Sequence, residues 1–433
     1  MRALCLFEDK KAENFHPLSL TKPVYELRCG ITTLREKLCR ISNEKRIHLF
    51  CRAYLSEVTS QRSPKDEVNN LRSLRDRDLL FVNGRLLLFD EEIKLEGEEE
   101  VGVCAENIVY ARLNKKTFEK VFPAQPEEIE EALLRARKFV RVKEVKLLLL
   151  EYPWDLVNYN SQAIESDFKL IGRAGIKGRV DKGAHLLNPS QIYLGEGARI
   201  EAGVVLNAEE GPIYIGERAR IRPPTIIDGP GYIGRETIVD GAKIRGGCSI
   251  GPVCRVAGEI EQSIFHAYSN KHHDGFIGHS YIGEWVNLGA LTTTSDLKNT
   301  YGNVKVYLKG KKIDTGEMKV GSFIGDHTKT GIGTLLSTGC VIGVGSNVFG
   351  GGSIPQFVPS FSWGGEEGFI ENRLDKALEV SRTVMARRNI RQTDVQRNLL
   401  RKVYELTREE RNYRYRPNSS TASKNASTFS QGT

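Results

Sequence analysis

The stretch Ile215-Gly-Glu-Arg-Ala-Arg-Ile221-Arg-Pro-Pro-Thr-Ile-Ile227-Asp-Gly-Pro-Gly-Tyr-Ile233-Gly234 carries an isoleucine at every sixth position. An α-helix repeats its faces every 3.6 residues and a strand every 2, so this spacing belongs to neither. Working outward, Leu194, Ile200 and Leu206 keep the same interval, as do Ile238, Ile244, Ile250 and Val256, and later Leu336, Ile342, Val348 and Ile354. Such a period is the hexapeptide signature of a parallel β-helix, one short strand and a turn per unit. The aliphatic side chain is expected to point into a triangular prism. A glycine often follows it, as at 195, 216, 234, 251, 278 and 343, and is expected at a corner where it supplies a positive φ. Each coil buries its apolar face only against its neighbours, so the stack needs several coils and capped ends.

The array predicts a left-handed β-helix over residues 172–352. Its rhythm breaks between Thr292 and Val320. Ser295 to Lys312 cannot be threaded as coils and reads as an insertion projecting from one edge, carrying Lys298, Lys305, Lys309, Lys311 and Lys312. Regular spacing returns from Phe323 to Thr334.

The chain has 433 residues, enough for two or three domains, with 42 glycines as a turn-rich solenoid requires. Eight cysteines are scattered with no Cys-x-x-Cys pair, which suits free thiols in a reducing, cytoplasmic setting. The N-terminal apolar run is too short for a signal peptide, and no run reaches membrane-spanning length. The net charge is +8, and residues 371–416 hold thirteen basic against seven acidic side chains. The bland and favoured reading is a solvated helical face; the sharper one is attraction of anionic substrates such as sugar phosphates or coenzyme A. Nucleic acid is excluded as a partner, because no recognition motif accompanies the charge.

Residues 1–165 read as an α/β domain of Rossmann type. Strands are expected at residues 3–7, 46–51 and 79–84, a strand pair over 101–113, and helices over 32–41 and 126–140. Tyr152 to Asn160 and Ala163 to Ile171 read as a turn and helix tying the domains together, with Trp154 in the core and Asp155 as a helix cap. Residues 353–416 form a C-terminal helical extension, with a partial apolar stripe (Leu374, Leu378, Met385, Leu399, Leu400, Val403, Leu406). The tail over 417–433 is small, polar and expected to be disordered.

Phe15-His-Pro-Leu-Ser-Leu-Thr-Lys-Pro23 and Phe81-Val-Asn-Gly-Arg85 resemble the early segments of sugar-phosphate nucleotidyltransferases. Leu20, Thr21, Pro23, Val24, Glu26, Leu27 and Arg28 match a divergent branch of that family better. The family's Gly-rich phosphate loop is replaced here by Glu8 to Asn14, its catalytic Lys falls on Val24, and its magnesium Asp falls on Arg85. The resemblance implies that an active domain would hold nucleotide and sugar phosphate with Lys22, Arg28, Arg35 and Asn83, and Mg²⁺ with Asp9 or Asp155. A degenerate domain in which these charges are structural stands beside it.

A second resemblance lies in Asn270 to Asp296. His273-x-x-Phe276-Ile-Gly278, then Asn287-Leu-Gly-Ala290-x-Thr292, then Asp296, is similar to the C-terminal domain of the bifunctional N-acetylglucosamine-1-phosphate uridyltransferase/glucosamine-1-phosphate acetyltransferase family. That likeness implies acetyl-CoA as cosubstrate and His273 as general base, its neutral imidazole taking a proton from the attacking acceptor. Asn287 would orient sugar or acetyl group, and Asp296 stands where the family has Asn. Phe276 replaces a Tyr. Lys271 and Arg255 substitute for a sugar-phosphate Lys, and Ala290, Lys298 and Lys329 complete the expected substrate or acetyl-CoA set. Sites between subunits imply a homotrimer. His266 and His279 are read as structural, and Asn287 is equally an internal ladder residue. A zinc site is the minority reading, because the His-x4-His pair used by solenoid carbonic anhydrases is missing.

The expected function is sugar-nucleotide biosynthesis by a transferase: acetylation of a hexosamine 1-phosphate in the solenoid, and nucleotidyl transfer from a nucleoside triphosphate such as UTP in the N-terminal domain. The alternatives are a nucleotidyltransferase for another sugar with a purely structural solenoid, and a non-catalytic trimeric sugar-nucleotide sensor.

Overall fold

The computed structural model describes residues 2–42, 46–90, 93–122, 129–171, 175–350 and 352–414. Three runs of apolar residues, Ala3–Phe7, His48–Phe50 and Leu79–Asn83, form the parallel centre of a seven-stranded sheet. Asn107–Leu113 pairs antiparallel with Leu79–Asn83 and with Glu100–Cys104. The three central strands are buried at every position, as strands covered on both faces should be. The helix expected over 32–41 shortens to Leu34–Leu38, because Thr33 and Glu36 close a capping box at its start. The helix expected over 126–140 is Ile129–Ala136; its Pro126 start lies outside the described residues.

The six-residue array winds as a left-handed parallel β-helix. One face is a ten-stranded parallel sheet running from Gly175–Ile176 to Phe357–Val358. Leu194, Ile200, Leu206, Ile215, Ile221, Ile227, Ile233, Ile244, Ile250 and Val256 all sit fully or almost fully buried in one continuous core, where the spacing places them; Ile238 does not, because Val239 is the residue in register with Ile221 and takes the inward position. Gly195, Gly216, Gly234 and Gly251 are not in the positive-φ region; the residues that are include Gly197, Arg218, Glu236, Val253, Tyr268, Trp285 and His327. What excludes a side chain after the aliphatic position is the coil stacked on it. A Cβ at Gly216 would lie 2.6 Å from the amide nitrogen of Arg235, and one at Gly251 only 1.9 Å from the carbonyl oxygen of His266.

The unthreadable segment contains a hairpin, Lys305–Leu308 with Lys311–Asp314. The extension expected to be helical over 353–416 is not so at its start: Ser353–Ile354 and Phe357–Val358 still belong to the solenoid, and a second hairpin follows, Ser362–Gly365 with Gly368–Glu371. It then divides into the helices Leu374–Ala386, Asp394–Leu406 and Arg408–Arg414. Asn389 at φ 57° ends the first, and a Thr393–Gln396 capping box starts the second. The tail from 417 lies outside the described residues.

Two faces of the prism are covered. The outer surface of the ten-stranded sheet packs on the N-terminal domain, with Tyr281, Phe323 and Val341 joining Phe15, Trp154 and Leu156 in one cluster. Leu399, Leu400 and Val403 of the C-terminal helices join Leu20, Tyr25 and Leu55 in another. The third face carries Ile226, Phe276, Thr293 and Leu335, and Leu335 is 49% exposed.

Candidate functional site

The charged side chains expected to hold nucleotide and metal are occupied by one another and by the solenoid. Arg85 is fully buried and makes two hydrogen bonds to Asp9, Nε to Oδ1 at 2.8 Å and Nη2 to Oδ2 at 2.6 Å. Asn83 donates to the same carboxylate at 2.8 Å and to the carbonyl of Ile108 at 2.9 Å. An aspartate with three of its roughly four acceptor positions taken, and a buried guanidinium cation already against it, is ill suited to Mg²⁺, which demands several oxygen ligands in octahedral geometry. Asp155 accepts from the backbone N–H of Glu151 and Tyr152 at 2.6 and 2.9 Å, capping the helix Pro153–Asn158. Neither residue therefore fits the metal. Among the described residues no group of three or more His, Cys, Asp or Glu side chains could hold one.

Lys22 also departs from its expected role. It is buried, with Nζ 2.5 Å from Asp326 and 3.9 Å from Glu284, both on the solenoid. Arg62 grips Glu284 with two hydrogen bonds, and His266 lies 3.3 Å from it. Burial opposes ionisation of Glu284, but Arg62, Lys22 and His266 outweigh it and hold the carboxyl well below its usual range. Arg28 donates to the carbonyls of Ile31 and His266 and lies over the ring of Tyr232. Arg35 is paired with Glu26 at 2.6 Å and with Asp66 at 3.4 Å. These cations lock the two domains together or brace the N-terminal one, instead of lining a phosphate cradle.

The solenoid residues gather differently. Parallel register sets Arg255, Asn270, Asn287 and Lys329 in one outward column on successive coils. Asn270 Nδ2 donates to Asn287 Oδ1 at 3.0 Å, and Arg388 of the C-terminal helix donates to Asn270 Oδ1 at 3.2 Å. The helix Leu374–Ala386 and the two arginines that follow it roof this column over a cavity of about 260 Å³. Burial lowers the Lys329 ammonium to about 8.

His273 stands on the adjoining corner and is exposed. It belongs to a local widening of the coil: Val256 pairs with Lys271 and Glu259 with Phe276, so two residues separate one pair and four the other. The next coil stacks directly on this corner, the amide of Leu291 donating to the carbonyl of Asp274 at 2.8 Å. That contact brings Ala290 alongside His273.

Lys271 is not on the surface, as a substrate ligand would have to be. It occupies the inward position that Val256 fills one coil below, and is 0% exposed. Its ammonium caps the carbonyls of His273 and Asp274 from inside the prism. Burial lowers Lys271 to about 8, with Asp274 pulling the other way.

The remaining expected ligands lie apart. Asp296 accepts from His279 Nδ1 at 2.8 Å; burial opposes its ionisation, but His279 and Lys319 together outweigh it and lower the carboxyl. Lys298 donates to Asn303 O within the insertion. His279 and His266 are both buried, the latter 3.0 Å from the Tyr281 hydroxyl. Sequence reasoning missed Asn270, Arg387 and Arg388. Its one available signal was the excess positive charge after residue 371, which periodicity cannot assign to a solenoid face.

Residues 4–174 match the profile of the family described as sugar nucleotidyl transferase. Over 318 residues the chain is 26% identical to a bifunctional sugar-1-phosphate nucleotidylyltransferase/acetyltransferase of Sulfurisphaera tokodaii, covering 68% of this chain and 73% of that protein. It is 27% identical to the bifunctional protein GlmU of Methanocaldococcus jannaschii over 285 residues, 62% of each chain. Among solved structures, the UDP-N-acetylglucosamine acyltransferase of Francisella novicida aligns over 60% of this chain and 100% of that one, at 12% identity and a TM-score of 0.29.

Proposed function

We propose that the chain is a transferase of sugar-nucleotide biosynthesis. Its solenoid acetylates the amine of a hexosamine 1-phosphate, glucosamine 1-phosphate being the first candidate, from acetyl-CoA. The observation that carries this is the widened corner, where an exposed His273 rests on a buried Lys271 beside Ala290 and the Asn270–Asn287 pair. The bifunctional relatives, similar over most of this length, support the same reading. In the reaction the acceptor nitrogen attacks the thioester carbonyl carbon and the C–S bond breaks. His273 accepts the N–H proton and returns it to the departing thiolate. Backbone N–H groups of the stacked corner hold the oxyanion. An acyl-CoA site between prisms, and so a homotrimer, accounts for exposed apolar residues near this corner such as Leu291 and Ile332. A cytoplasmic setting accords with the eight free thiols. No helix among the described residues is long and apolar enough to cross a membrane.

For the N-terminal domain the proposed activity is nucleotidyl transfer from a nucleoside triphosphate to the sugar 1-phosphate, supported by the match over residues 4–174. One observation favours a second reading, with this domain a structural partner of the solenoid: the Asp9–Arg85 pair closes the place where a metal carboxylate would act. Incubation with acetyl-CoA, glucosamine 1-phosphate, UTP and Mg²⁺ separates the readings. Thiol release abolished by His273→Ala, with the fold intact by circular dichroism, is the expected result. Unchanged thiol release in that variant overturns the assignment, and pyrophosphate release decides the N-terminal domain.

A further inference from the structure

The cavity beneath the C-terminal helix has a charge problem that the protein itself does not solve. Lys329, Arg387 and Arg388 line it, and among the described residues none of the three meets a carboxylate. Lys329 Nζ reaches only the carbonyl of His327, at 2.5 Å. Arg388 bonds Asn270 through one nitrogen, while its Nε is buried with no partner. Burial and the charge of Arg387 both lower Arg388, and Arg388 in turn lowers Arg255 one step down the column. The buried Lys329 ammonium, and the partly buried Arg388 beside the exposed Arg387, are costly unless an anion joins them.

The polar groups that remain are the right kind for such an anion. Asn270 gives its amide to Asn287 Oδ1, which leaves the amide hydrogens of Asn287 free to face the cavity. Guanidinium, ammonium and amide donors converging from the roof and the floor match the spread oxygens of a tetrahedral anion. The volume of about 260 Å³ admits a sugar phosphate. Val286, Val380 and Val384 supply an apolar wall, so the ligand is not wrapped by charge on all sides.

We infer that this cavity binds the phosphate of a small phosphate monoester, through Lys329, Arg387, Arg388 and the carboxamide of Asn287, with the C-terminal helix as its roof. The inference does not depend on acetyl transfer, because it concerns binding alone. If the acetyl-transfer reading also holds, the phosphate is that of the acceptor.

Isothermal titration of the full chain with inorganic phosphate, glucosamine 1-phosphate and glucosamine tests it. The two phosphates are expected to bind and the phosphate-free amino sugar not. Arg387→Ala removes an exposed side chain and should leave the fold untouched, as circular dichroism would verify. It should weaken phosphate binding roughly tenfold or more, the size of one lost charge-assisted hydrogen bond. Lys329→Gln should do the same. Arg382→Ala, on the same helix but outside this cavity, should bind phosphate as the parent does. No phosphate binding by the parent at millimolar concentration, equal binding of glucosamine, or parent-like affinity in both Arg387→Ala and Lys329→Gln overturns the inference. Loss of binding in Arg382→Ala overturns it too, by placing the phosphate elsewhere on the helix.

Discussion

Lys271 breaks the rule that built the solenoid and in doing so shows what sequence can and cannot reveal at the scale of one residue. Its position is aliphatic in the coil below, yet it holds an amine, and the amine is spent on the carbonyls of His273 and Asp274. A reading by likeness places it among the substrate ligands, because a lysine near a candidate base suggests phosphate. Only the register shows that it points inward. That His273 stands exposed at a corner was legible, but the support beneath it was not. Lys271→Met keeps the inward volume and removes the cap. The expected result is an intact fold with acetyl transfer slowed roughly 100-fold, the cost of a loosened catalytic group; parent-like turnover argues against a positioning role. A pH signature accompanies it. Burial lowers the folded pKa to about 8, against about 10.4 for an unfolded lysine. Between those values the unfolded chain holds a proton the folded chain has lost, so this group's share of stability rises with pH across the window. Denaturation midpoints of parent and Lys271→Met, compared from pH 7 to 10, should show that rise in the parent alone.

The solenoid strands and the C-terminal helices differ in how much of their placement is written locally. A six-residue rhythm fixes the inward side chain of regular coils, so sequence alone located the core from Leu194 to Ile233, from Ile244 to Val256 and from Leu336 to Ile354. It chose Ile238 where Val239 points inward, and it gave no series through the irregular coils between. The helices after residue 371 carry an apolar stripe that says only that something covers them. What they cover is set by long-range packing: Leu399, Leu400 and Val403 meet Leu20, Tyr25 and Leu55 of the N-terminal domain, and Thr393 Oγ1 lies 3.0 Å from Gln61 Oε1. The break at 387–393, with its left-handed Asn389, is a further detail that helical composition hides. These helices are therefore structural beams as well as a roof. Leu400→Ala should cost about 2–5 kcal/mol by the usual penalty for truncating a buried leucine. Urea unfolding measures it, and a loss under about 0.5 kcal/mol, the range of surface substitutions, would show the helix to be peripheral.

Across the whole molecule, the domain order was legible but the mutual dependence of the domains was not. Composition separates an α/β half from a glycine-rich half, and nothing in either pattern shows that Thr21 and Lys22 close on Asp326 or that Arg62 closes on Glu284. Nor does it show that Tyr281, Phe323 and Val341 leave the solenoid to complete another domain's core. An interface that is both apolar and charge-locked does not behave as two beads on a linker. Cutting it would strand Glu284 and Asp326, nearly buried carboxylates, without their cations, and breaking a buried pair costs about 3–5 kcal/mol. Calorimetry of the intact chain should accordingly give one cooperative transition covering both domains. The same network sets its acid limit. The folded-state pKa of Glu284 is depressed, so its contribution is full above the unfolded value of about 4.3 and drains away as pH falls toward the folded one. The single transition should therefore shift to lower temperature below pH 4 while staying single, and Glu284→Gln should flatten that shift. Two separate transitions at neutral pH would mean that the domains stand independently and that the interdomain cations are free for other work.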